Sequence, residues 1–319
     1  MAKNKTLIPV KHKIESLKAR TFIFLDRYAP FILRGLRSLK KRADKFSLAQ
    51  KKSSGKIITK EILVRDLERA GIKKGDSVIV HSSLRRIGYV ENGAQTVIDA
   101  LLNAIGSEGT LLFPTSPVET HGKAYLESNP VFDVRSTPSK MGAISEQFRK
   151  MKGVKRSLHP LESVAAIGPL AEYYTKDHFA QPTPYNENSP FARLAEKHGK
   201  ILSLGVINME HTCINMHASE DAVPDFKPEI YDRKIYEAQM LDEYGNACTM
   251  KTKVHNPEWS LRRYPNGLVS LFEKEGAMRR IRIGEAESLL FDAHRLQEVM
   301  VKAYMEKGIS MYFPEGKKF

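Results

Sequence analysis

Hydrophobic and polar positions in the main part of the chain switch repeatedly between helical and extended spacing. Apolar residues recur three and four positions apart after Thr59 and until Gly71, which predicts a helix between them. The short, continuous apolar run at Ser77–Val80 predicts a buried strand. The same alternation continues with a helix over 91–106 and a strand over 110–117. Strands that alternate with helices predict an α/β domain whose helices flank the sheet.

The second half of the chain predicts two more buried strands and, in addition, an antiparallel pair. The apolar runs HPLESVAAIG (159–168) and KILSLGVINM (200–209) predict two more buried strands, and a short helix is expected over 145–151. Residues 235–254 surround the polar turn Glu243–Asn246, which predicts a β-hairpin. A hairpin is antiparallel, whereas strands joined through helices are parallel, so the predicted sheet is mixed.

The first 56 residues differ from the rest in charge. They hold 16 Lys and Arg side chains and three acids, so +13 of the net +14 lies in this extension and the body is nearly neutral. A nucleic-acid-binding domain would carry its positive stripe on the folded part, so nucleic acid is not an expected partner. We therefore divide the chain into an extension with its linker, residues 1–56, and a catalytic domain, residues 57–319.

The extension has the pattern of a basic amphipathic helix. Its apolar side chains recur at helical spacing, with a basic cluster toward the C-terminal end and a polar linker over 49–56. The apolar positions are Phe22, Leu25, Ile32, Leu33, Leu36 and Leu39. Such a helix could bind an anionic membrane surface or a partner protein, or it could pack on the chain's own body. These alternatives stay open.

Composition places the chain among cytoplasmic globular proteins. With 41% hydrophobic and 28% charged residues it can bury a sizeable core, and two cysteines do not make a disulfide framework. The first residues lack the apolar stretch of a secretory signal, and no run of about 18 apolar residues occurs. We expect a cytoplasmic protein, with peripheral attachment to the inner face of the membrane if the extension binds lipid.

Several common kinds of active site are excluded by missing motifs. The sequence contains no phosphate-binding P-loop, no GxGxxG dinucleotide motif and no GxSxG nucleophile elbow. The pattern most similar to a metal site, His211, Cys213 and His217, has the spacing of no standard zinc signature. We therefore expect no bound metal.

Three polar clusters remain as candidate sites. His81-Ser82-Ser83 follows a strand directly, where hydroxyls and backbone amides could bind a phosphate or a pantetheine, or simply cap the strand. Arg156, His159 and Ser163 surround the start of another strand, where the guanidinium could bind a phosphate or form an ordinary surface ion pair. In the third cluster, His217 and Glu220 are three apart, so on a helix they would share a face. A histidine held by a carboxylate is a common general base, although surface ion pairs have the same spacing.

Four segments in order resemble the aminoglycoside 3-N-acetyltransferase family, whose enzymes use acetyl-CoA. The segments are VHSSLRRIGYVENGAQTVIDALLNAIGSEGTLLFPT, TPSKMGAISEQFRKMKGVKRSLHPLESVAAIGPLA, YNENSPFARL with KILSLGVINMEHTCINMHASE, and RRIRIGEAESLLFDAHRL. Together they extend over roughly residues 57–300. The resemblance implies a mixed α/β sheet flanked by helices, and a coenzyme A site built from the first two blocks. It also implies a catalytic histidine in the third block.

The resemblance also implies roles for individual residues. Ser82, Ser83 and Leu84 would meet the pantetheine and pyrophosphate of coenzyme A. His217 takes the family's catalytic position and Glu220 that of the acid in the same motif. The residues that would border the coenzyme A channel are Thr115, Arg156, His159 and Ser163. We expect direct transfer, in which His217 accepts the proton of the attacking amine; an acyl-enzyme on Cys213 is the alternative.

The chain departs from the family pattern in two places. Where family members that modify aminoglycosides have acidic residues, this chain has Val254-His255-Asn256-Pro257, so His255 could replace an acid of the catalytic site. Aminoglycosides are polycations and favour carboxylate-lined sites. This departure and the basic extension point away from drug inactivation and toward an amino sugar, nucleotide-linked or lipid-linked and made at a membrane. The expected acceptor is therefore an aminoglycoside or an amino sugar. A non-catalytic acyl-CoA-binding or membrane-associated scaffold is the competing hypothesis.

Overall fold

The computed structural model describes residues 56–316 apart from Thr120, Thr212, Cys213 and Lys227, and for His211 only the backbone. The predicted extension helix therefore lies outside the described residues, and the domain division at residue 56 stays a prediction. The strands are β1 Ile57–Ile58, β2 Ser77–Ser82, β3 Tyr89–Val90, β4 Thr110–Pro114, β5 Val131–Asp133, β6 Lys155–Arg156, β7 Val164–Ile167, β8 Lys200–Leu204, β9 Tyr236–Leu241, β10 Ala247–Thr252, β11 Met278–Ile283 and β12 Ala286–Asp292.

The helices connect these strands and cover the sheet. The α-helices are α1 Lys60–Arg69, α2 Leu84–Ile87, α3 Ala94–Ile105, α4 Gly122–Glu127, α5 Ala143–Phe148, α6 Ala171–Thr175, α7 Pro190–Glu196, α8 Ile214–Asp221, α9 Pro257–Ser260, α10 Val269–Lys274 and α11 Ala293–Lys307. Short 3-10 turns occur at Met209–His211 and Pro265–Leu268. The predicted start of α1 is confirmed, because the Thr59 hydroxyl accepts a hydrogen bond from the Ile62 amide.

A seven-stranded sheet in the order β11-β12-β8-β2-β4-β7-β6 forms the centre of the domain. Strands β8, β2 and β4 run parallel, and the strands on both sides of them pair antiparallel. The predicted mixed sheet is thus confirmed, but the reason given for it was wrong. The predicted hairpin is β9–β10, and it belongs to a separate three-stranded sheet with β5, so it does not contribute to the central sheet.

Both faces of the central sheet are buried. Successive side chains of a strand point to opposite faces, and in β2 Val78 and Val80 join one apolar cluster while Ile79 joins the other. Helices α1 and α3 cover the first face, and α7 and α11 pack on the second. A strand buried on both faces has a continuous apolar sequence, which is why the run at Ser77–Val80 does not alternate.

Candidate active site

Three parallel strands end at one edge of the central sheet, and the predicted site residues follow them. In the pairing of β2 with β8, His81 lies opposite Ser203 and Ser82 opposite Leu204. The Ser83 amide then donates to the Leu204 carbonyl at 2.9 Å. Because the carboxyl ends of parallel strands lie at the same edge, this edge is where a ligand of an α/β sheet is expected.

The Ser82-Ser83-Leu84 segment lines an open cavity of about 310 Å³ at this edge. The other lining residues are Arg85 from α2 and Gly142, Ala143 and Ile144 at the start of α5. The three predicted side chains are half-buried, so their polar atoms remain within reach of a ligand. The cavity thus brings Ser82 and Ser83 of the first polar cluster together with residues 142–144, which belong to the second of the four family-like segments.

Thr115, Arg156 and Ser163 form a compact cluster next to the end of β4. The Arg156 Nε donates to Thr115 Oγ1 at 3.0 Å and to Ser163 Oγ at 3.2 Å, and Nη2 donates to the Thr115 carbonyl at 2.7 Å. Its Nη1 donates to the carbonyls of Val134 and Thr137. Burial lowers the pKa of the guanidinium to about 10. All three guanidinium nitrogens thus bond to protein oxygens, and a phosphate would have to replace some of these bonds.

His159 lies deeper than the other predicted cofactor residues. Its side chain is fully buried and stacks on His178 with ring centroids 4.4 Å apart. The amides of Leu161 and Glu162 donate to His159 Nδ1, so the ring proton lies on Nε2. Burial, followed by the charge of His178, holds the pKa of His159 well below its usual range. His159 is therefore a neutral ring that shapes the turn between β6 and β7.

His217 and Glu220 are paired on helix α8, as their spacing predicts. His217 Nδ1 lies 2.8 Å from Glu220 Oε2, and both side chains are almost completely buried. The loop after β8 leads to this helix from the same edge of the sheet, so the apolar run 200–209 does position the histidine beside the strand ends. The pair is a buried unit and not a surface ion pair.

Arg263 determines which nitrogen of His217 carries the proton. Its Nη1 lies 3.2 Å from His217 Nε2. A guanidinium only donates hydrogen bonds, so Nε2 accepts and the ring proton lies on Nδ1, which donates to Glu220. Burial, reinforced by the charges of His255 and Arg263, holds the pKa of His217 well below its usual range. His217 is therefore a neutral imidazole whose Nε2 lone pair accepts from Arg263.

Aromatic rings enclose the imidazole of His217. The Tyr185 ring stacks on it at 5.0 Å between centroids, and the His255 ring lies 4.0 Å away. His255 itself lies between Tyr185 and Tyr231, both nearly parallel to it. Burial, followed by the charge of Arg263, lowers the pKa of His255 to about 3. His255, which the sequence predicts as a catalytic residue, is thus a neutral neighbour of His217.

The open cavity and the His217 cluster are joined through one contact. His81, at the end of β2, lies with Nε2 3.4 Å from Asn215 Oδ1 on helix α8. Burial lowers the pKa of His81 to about 4, so the ring is neutral and Nε2 donates. The end of β2 therefore contributes both to the cavity, through Ser82, and to a contact with the helix that carries His217.

Sequence reasoning missed three residues of this cluster: Glu162, Tyr185 and Arg263. Burial raises the pKa of the Glu162 carboxyl to about 7, against the opposing effects of the Tyr185 hydroxyl and the Arg263 charge. Two of them lie in segments whose sequence resembles the family and could have been considered for that reason. Glu162 lies in HPLESV, and Tyr185 is the first residue of YNENSPFARL. Arg263 lies between blocks, in a segment with no recognisable motif.

The metal-like pattern of the sequence cannot be followed completely, because the His211 side chain and Cys213 lie outside the described residues. Within the described part of the chain, no group of three His, Cys, Asp or Glu side chains could hold a metal ion. The helices described for residues 56–316 include none that is long and apolar enough to span a membrane.

Curated proteins with similar sequences support one family. Aminoglycoside N(3)-acetyltransferase VIII of Streptomyces fradiae is 37% identical over 165 residues, which covers 48% of this chain and 57% of that protein. Aminoglycoside N(3)-acetyltransferase III of a Salmonella species is 30% identical over 268 residues, covering 78% of this chain and 92% of that protein. The first alignment thus includes little more than half of its relative, and the second nearly all.

Solved structures have the same fold. A structure described as AAC-IIIb binary with CoASH has a TM-score of 0.64 at 26% identity, over 78% of this chain and 97% of that one. Another, AAC-VIa bound to sisomicin, has a TM-score of 0.63 at 30% identity, over 77% and 96%. The family model for aminoglycoside 3-N-acetyltransferases matches residues 79–305. The chain, as its four sequence blocks predict, belongs to the aminoglycoside 3-N-acetyltransferase family.

Proposed function

We propose that this chain transfers the acetyl group of acetyl-CoA directly to an amino group of an aminoglycoside or amino sugar, with His217 as the proton acceptor. The observation that carries the proposal is the state of His217. It is neutral, its Nδ1 proton is held by Glu220, and its Nε2 lone pair faces a cationic nitrogen. A neutral imidazole oriented by a carboxyl group is what a general base for an amine requires, and the acceptor amine would take the place of Arg263 at Nε2.

The reaction uses the two nitrogens of His217 differently. After the acceptor ammonium has lost a proton to solvent, the amine nitrogen bonds to the thioester carbonyl carbon. A second proton passes from that nitrogen to His217 Nε2. The C–S bond then breaks, and the thiolate of coenzyme A takes the proton from the imidazolium. Glu220 stabilises the imidazolium between these steps.

Acetyl-CoA is the co-substrate of this family, and the related AAC-IIIb structure contains CoASH. We assign its pantetheine and pyrophosphate to the cavity at Ser82, Ser83 and Leu84, whose hydroxyls and amides suit phosphate and amide groups. His81, which precedes Ser82, contacts Asn215 on helix α8, so the end of β2 that lines the cavity also touches the helix that carries His217. The thioester end would pass from the cavity toward this helix.

The first test is the release of free thiol from acetyl-CoA with a panel of acceptors. We expect release with sisomicin, which is bound in the related AAC-VIa structure, or with an amino sugar. Calorimetry in the presence of EDTA should also show coenzyme A binding. Binding of coenzyme A without thiol release from any amine would favour the scaffold hypothesis. Binding rescued only by added Zn²⁺ would overturn the assignment of a metal-free site.

We further propose that residues 1–56 bring the enzyme to an anionic membrane surface. Support comes from the sequence: +13 of the net charge, apolar residues at helical spacing and a polar linker. Each basic residue near such a surface contributes about 1 kcal/mol. Deleting residues 1–54 should leave activity on a soluble acceptor within a few-fold and abolish co-sedimentation with anionic vesicles.

High salt provides the control for this second proposal. About 0.5 M salt should weaken vesicle binding of the full-length protein, because it screens the charges. If the truncated protein sediments as well as the intact one, or loses its activity, the extension packs on the catalytic domain instead.

A further inference from the structure

Some of the buried atoms beside His217 can accept a hydrogen bond but have no donor next to them. Among the described residues, Glu220 Oε1, Asp221 Oδ2 and His255 Nε2 are buried without a hydrogen-bond partner. A carboxylate oxygen only accepts hydrogen bonds, and a neutral imidazole can accept through its unprotonated nitrogen. An ammonium group supplies three donors, so these atoms suit a cationic ligand.

Asp221 lies one helical turn after His217 on α8. Residues four apart share a face of a helix, with about 5–6 Å between their Cβ atoms. The Asp221 carboxyl group uses one of its oxygens, because the Tyr231 hydroxyl donates to Oδ1 at 2.7 Å. The other oxygen, Oδ2, is the one without a partner. The same face of α8 therefore carries the proposed base and a carboxyl oxygen with which a ligand could bond.

A row of aromatic rings connects His217 with the Asp221 carboxyl group. The ring centroids of His217 and His255 are 4.0 Å apart, and those of His255 and Tyr231 are 5.0 Å apart. An isolated β-bridge between Tyr231 and His255 holds their two segments together. Because His217 is only 1% exposed, an acceptor reaches it by displacing neighbouring side chains. An acceptor that enters on the His255 side comes within reach of Asp221 as well.

The charge of Asp221 favours a cation at Oδ2. Burial raises the pKa of its carboxyl group, and the hydrogen bond from Tyr231 opposes this effect. The ammonium of Lys253 lies over the Tyr231 ring, 6.0 Å from its centroid, and forms no hydrogen bond with Oδ2. An opposite charge close to a carboxyl group favours its ionised form. A bound ammonium would thus offset the desolvation of this carboxylate.

Resting on the acetyl transfer proposed above, we infer that Asp221 Oδ2 binds a second ammonium of the acceptor while the reacting amine lies at His217 Nε2. The two nitrogens are then about one helical turn apart, as in a sugar ring that carries two amino groups. Asp221 thus selects an acceptor with several amino groups over an amino sugar with one. It does so in a chain that has Val254-His255-Asn256-Pro257 where family members that modify aminoglycosides have acidic residues.

The test separates the charge of Asp221 from its hydrogen bond with Tyr231. Asp221→Asn removes the charge and still offers an oxygen to the Tyr231 hydroxyl, whereas Tyr231→Phe removes the hydrogen bond and keeps the charge. Asp225→Asn is the matched control. It removes one charge from an exposed position four residues later, where asparagine tolerates the positive φ of 53°. Each variant is compared with the wild type by thiol release from acetyl-CoA with sisomicin.

Asp221→Asn should raise the KM for sisomicin between about tenfold and a hundredfold, because a charged hydrogen bond is lost. Its kcat and its KM for acetyl-CoA should stay within about threefold, and Asp221→Glu, which keeps the charge, should recover part of the loss. Tyr231→Phe should raise the KM for sisomicin clearly less than Asp221→Asn does, and Asp225→Asn should change it less than about twofold. Equal thermal midpoints of the variants exclude a general loss of structure.

Several results would overturn the inference, and they are distinguishable. A KM for sisomicin within about threefold of the wild type in Asp221→Asn would show that no ammonium meets this carboxylate. An equal rise in Tyr231→Phe would show that Asp221 only positions Tyr231. If the wild type releases thiol with glucosamine, which has one amino group, but not with sisomicin, the proposed function stands and the inference is wrong. If no amine releases thiol, the proposed function fails and this inference fails with it.

Discussion

Two buried polar clusters near one edge of the central sheet use their hydrogen-bonding atoms in different ways. Around Arg156, the guanidinium nitrogens and the hydroxyls of Thr115 and Ser163 all bond to one another or to carbonyls. Around His217, several buried atoms have no hydrogen-bond partner among the described residues. These atoms are Asn215 Nδ2, Glu220 Oε1 and His255 Nε2.

The number of polar atoms without a hydrogen bond thus distinguishes the two clusters. The Arg156 cluster is complete without a ligand, whereas the His217 cluster has polar atoms with which a ligand could bond. Leaving a buried polar atom without a partner costs about 1–3 kcal/mol. Polar atoms without partners beside the neutral His217 are therefore expected if a substrate supplies the missing hydrogen bonds. The bonds of the Arg156 cluster hold loop segments together, whereas the resemblance of the sequence blocks predicts that these residues border the coenzyme A channel.

The largest expected effect comes from the His217 cluster. His217→Ala should reduce turnover by roughly 10²–10⁴, the usual contribution of a general base. Coenzyme A affinity should stay nearly unchanged, because the cavity at Ser82 and Ser83 is not altered. Steady-state kinetics with a good acceptor, together with calorimetry, measures both. A loss of less than tenfold would show that the base lies elsewhere, with His255 as the next candidate.

The second prediction concerns the Arg156 cluster. Arg156→Met should lower the free energy of unfolding by about 3 kcal/mol or more, because several buried carbonyls and hydroxyls lose a charged donor. Arg233→Met, a change at a highly exposed arginine, should have an effect of less than about 0.5 kcal/mol. Urea denaturation of both variants provides the comparison. Normal stability combined with weaker coenzyme A binding would instead confirm the predicted phosphate contact of Arg156.

The smallest effect is expected in the acid stability of the His217 cluster. The folded pKa of His255 is about 3, below the value of about 6.5 for an unfolded histidine. Below pH 6.5 the unfolded chain therefore binds a proton that the folded chain does not, and stability falls as the pH is lowered toward 3. Between pH 7 and 5 this residue alone should cost about 2 kcal/mol.

His255→Phe keeps an aromatic ring between Tyr185 and Tyr231 but cannot titrate. The variant should therefore lose about 2 kcal/mol less than the wild type between pH 7 and 5, as measured by denaturation at both pH values. An unchanged difference between wild type and variant at the two pH values would show that His255 does not remain neutral in the folded protein.

Much of the architecture follows from local sequence patterns. Thr59 caps α1, the run at Ser77–Val80 lies in β2, and the polar turn Glu243–Asn246 connects β9 and β10. These features depend on neighbouring residues, so a single segment is enough to predict them. The pairing of His217 with Glu220 is also local, since residues three apart share a face of a helix.

The remaining features depend on contacts between distant segments. Arg263 is 46 positions from His217 in the sequence, and no pattern near either residue indicates that they meet. The hydrogen bonds of Arg156 to carbonyls of Val134 and Thr137 cannot be inferred from side-chain types, because carbonyls are common to all residues. The place of the hairpin in a separate sheet likewise depends on its parallel pairing with β5.

The pairing of β2 with β8 has a consequence for biosynthesis. Val78 pairs with Lys200, which is 200 − 78 = 122 positions later in the sequence, so β2 is synthesised well before its partner strand. Pairing between distant segments is slow to form, and large domains expose unpaired strand edges while it is incomplete. The cavity residues Ser82 and Ser83 follow β2, whereas His217 lies on the helix after β8. A nascent chain would therefore lack the complete site until β8 and α8 have emerged from the ribosome.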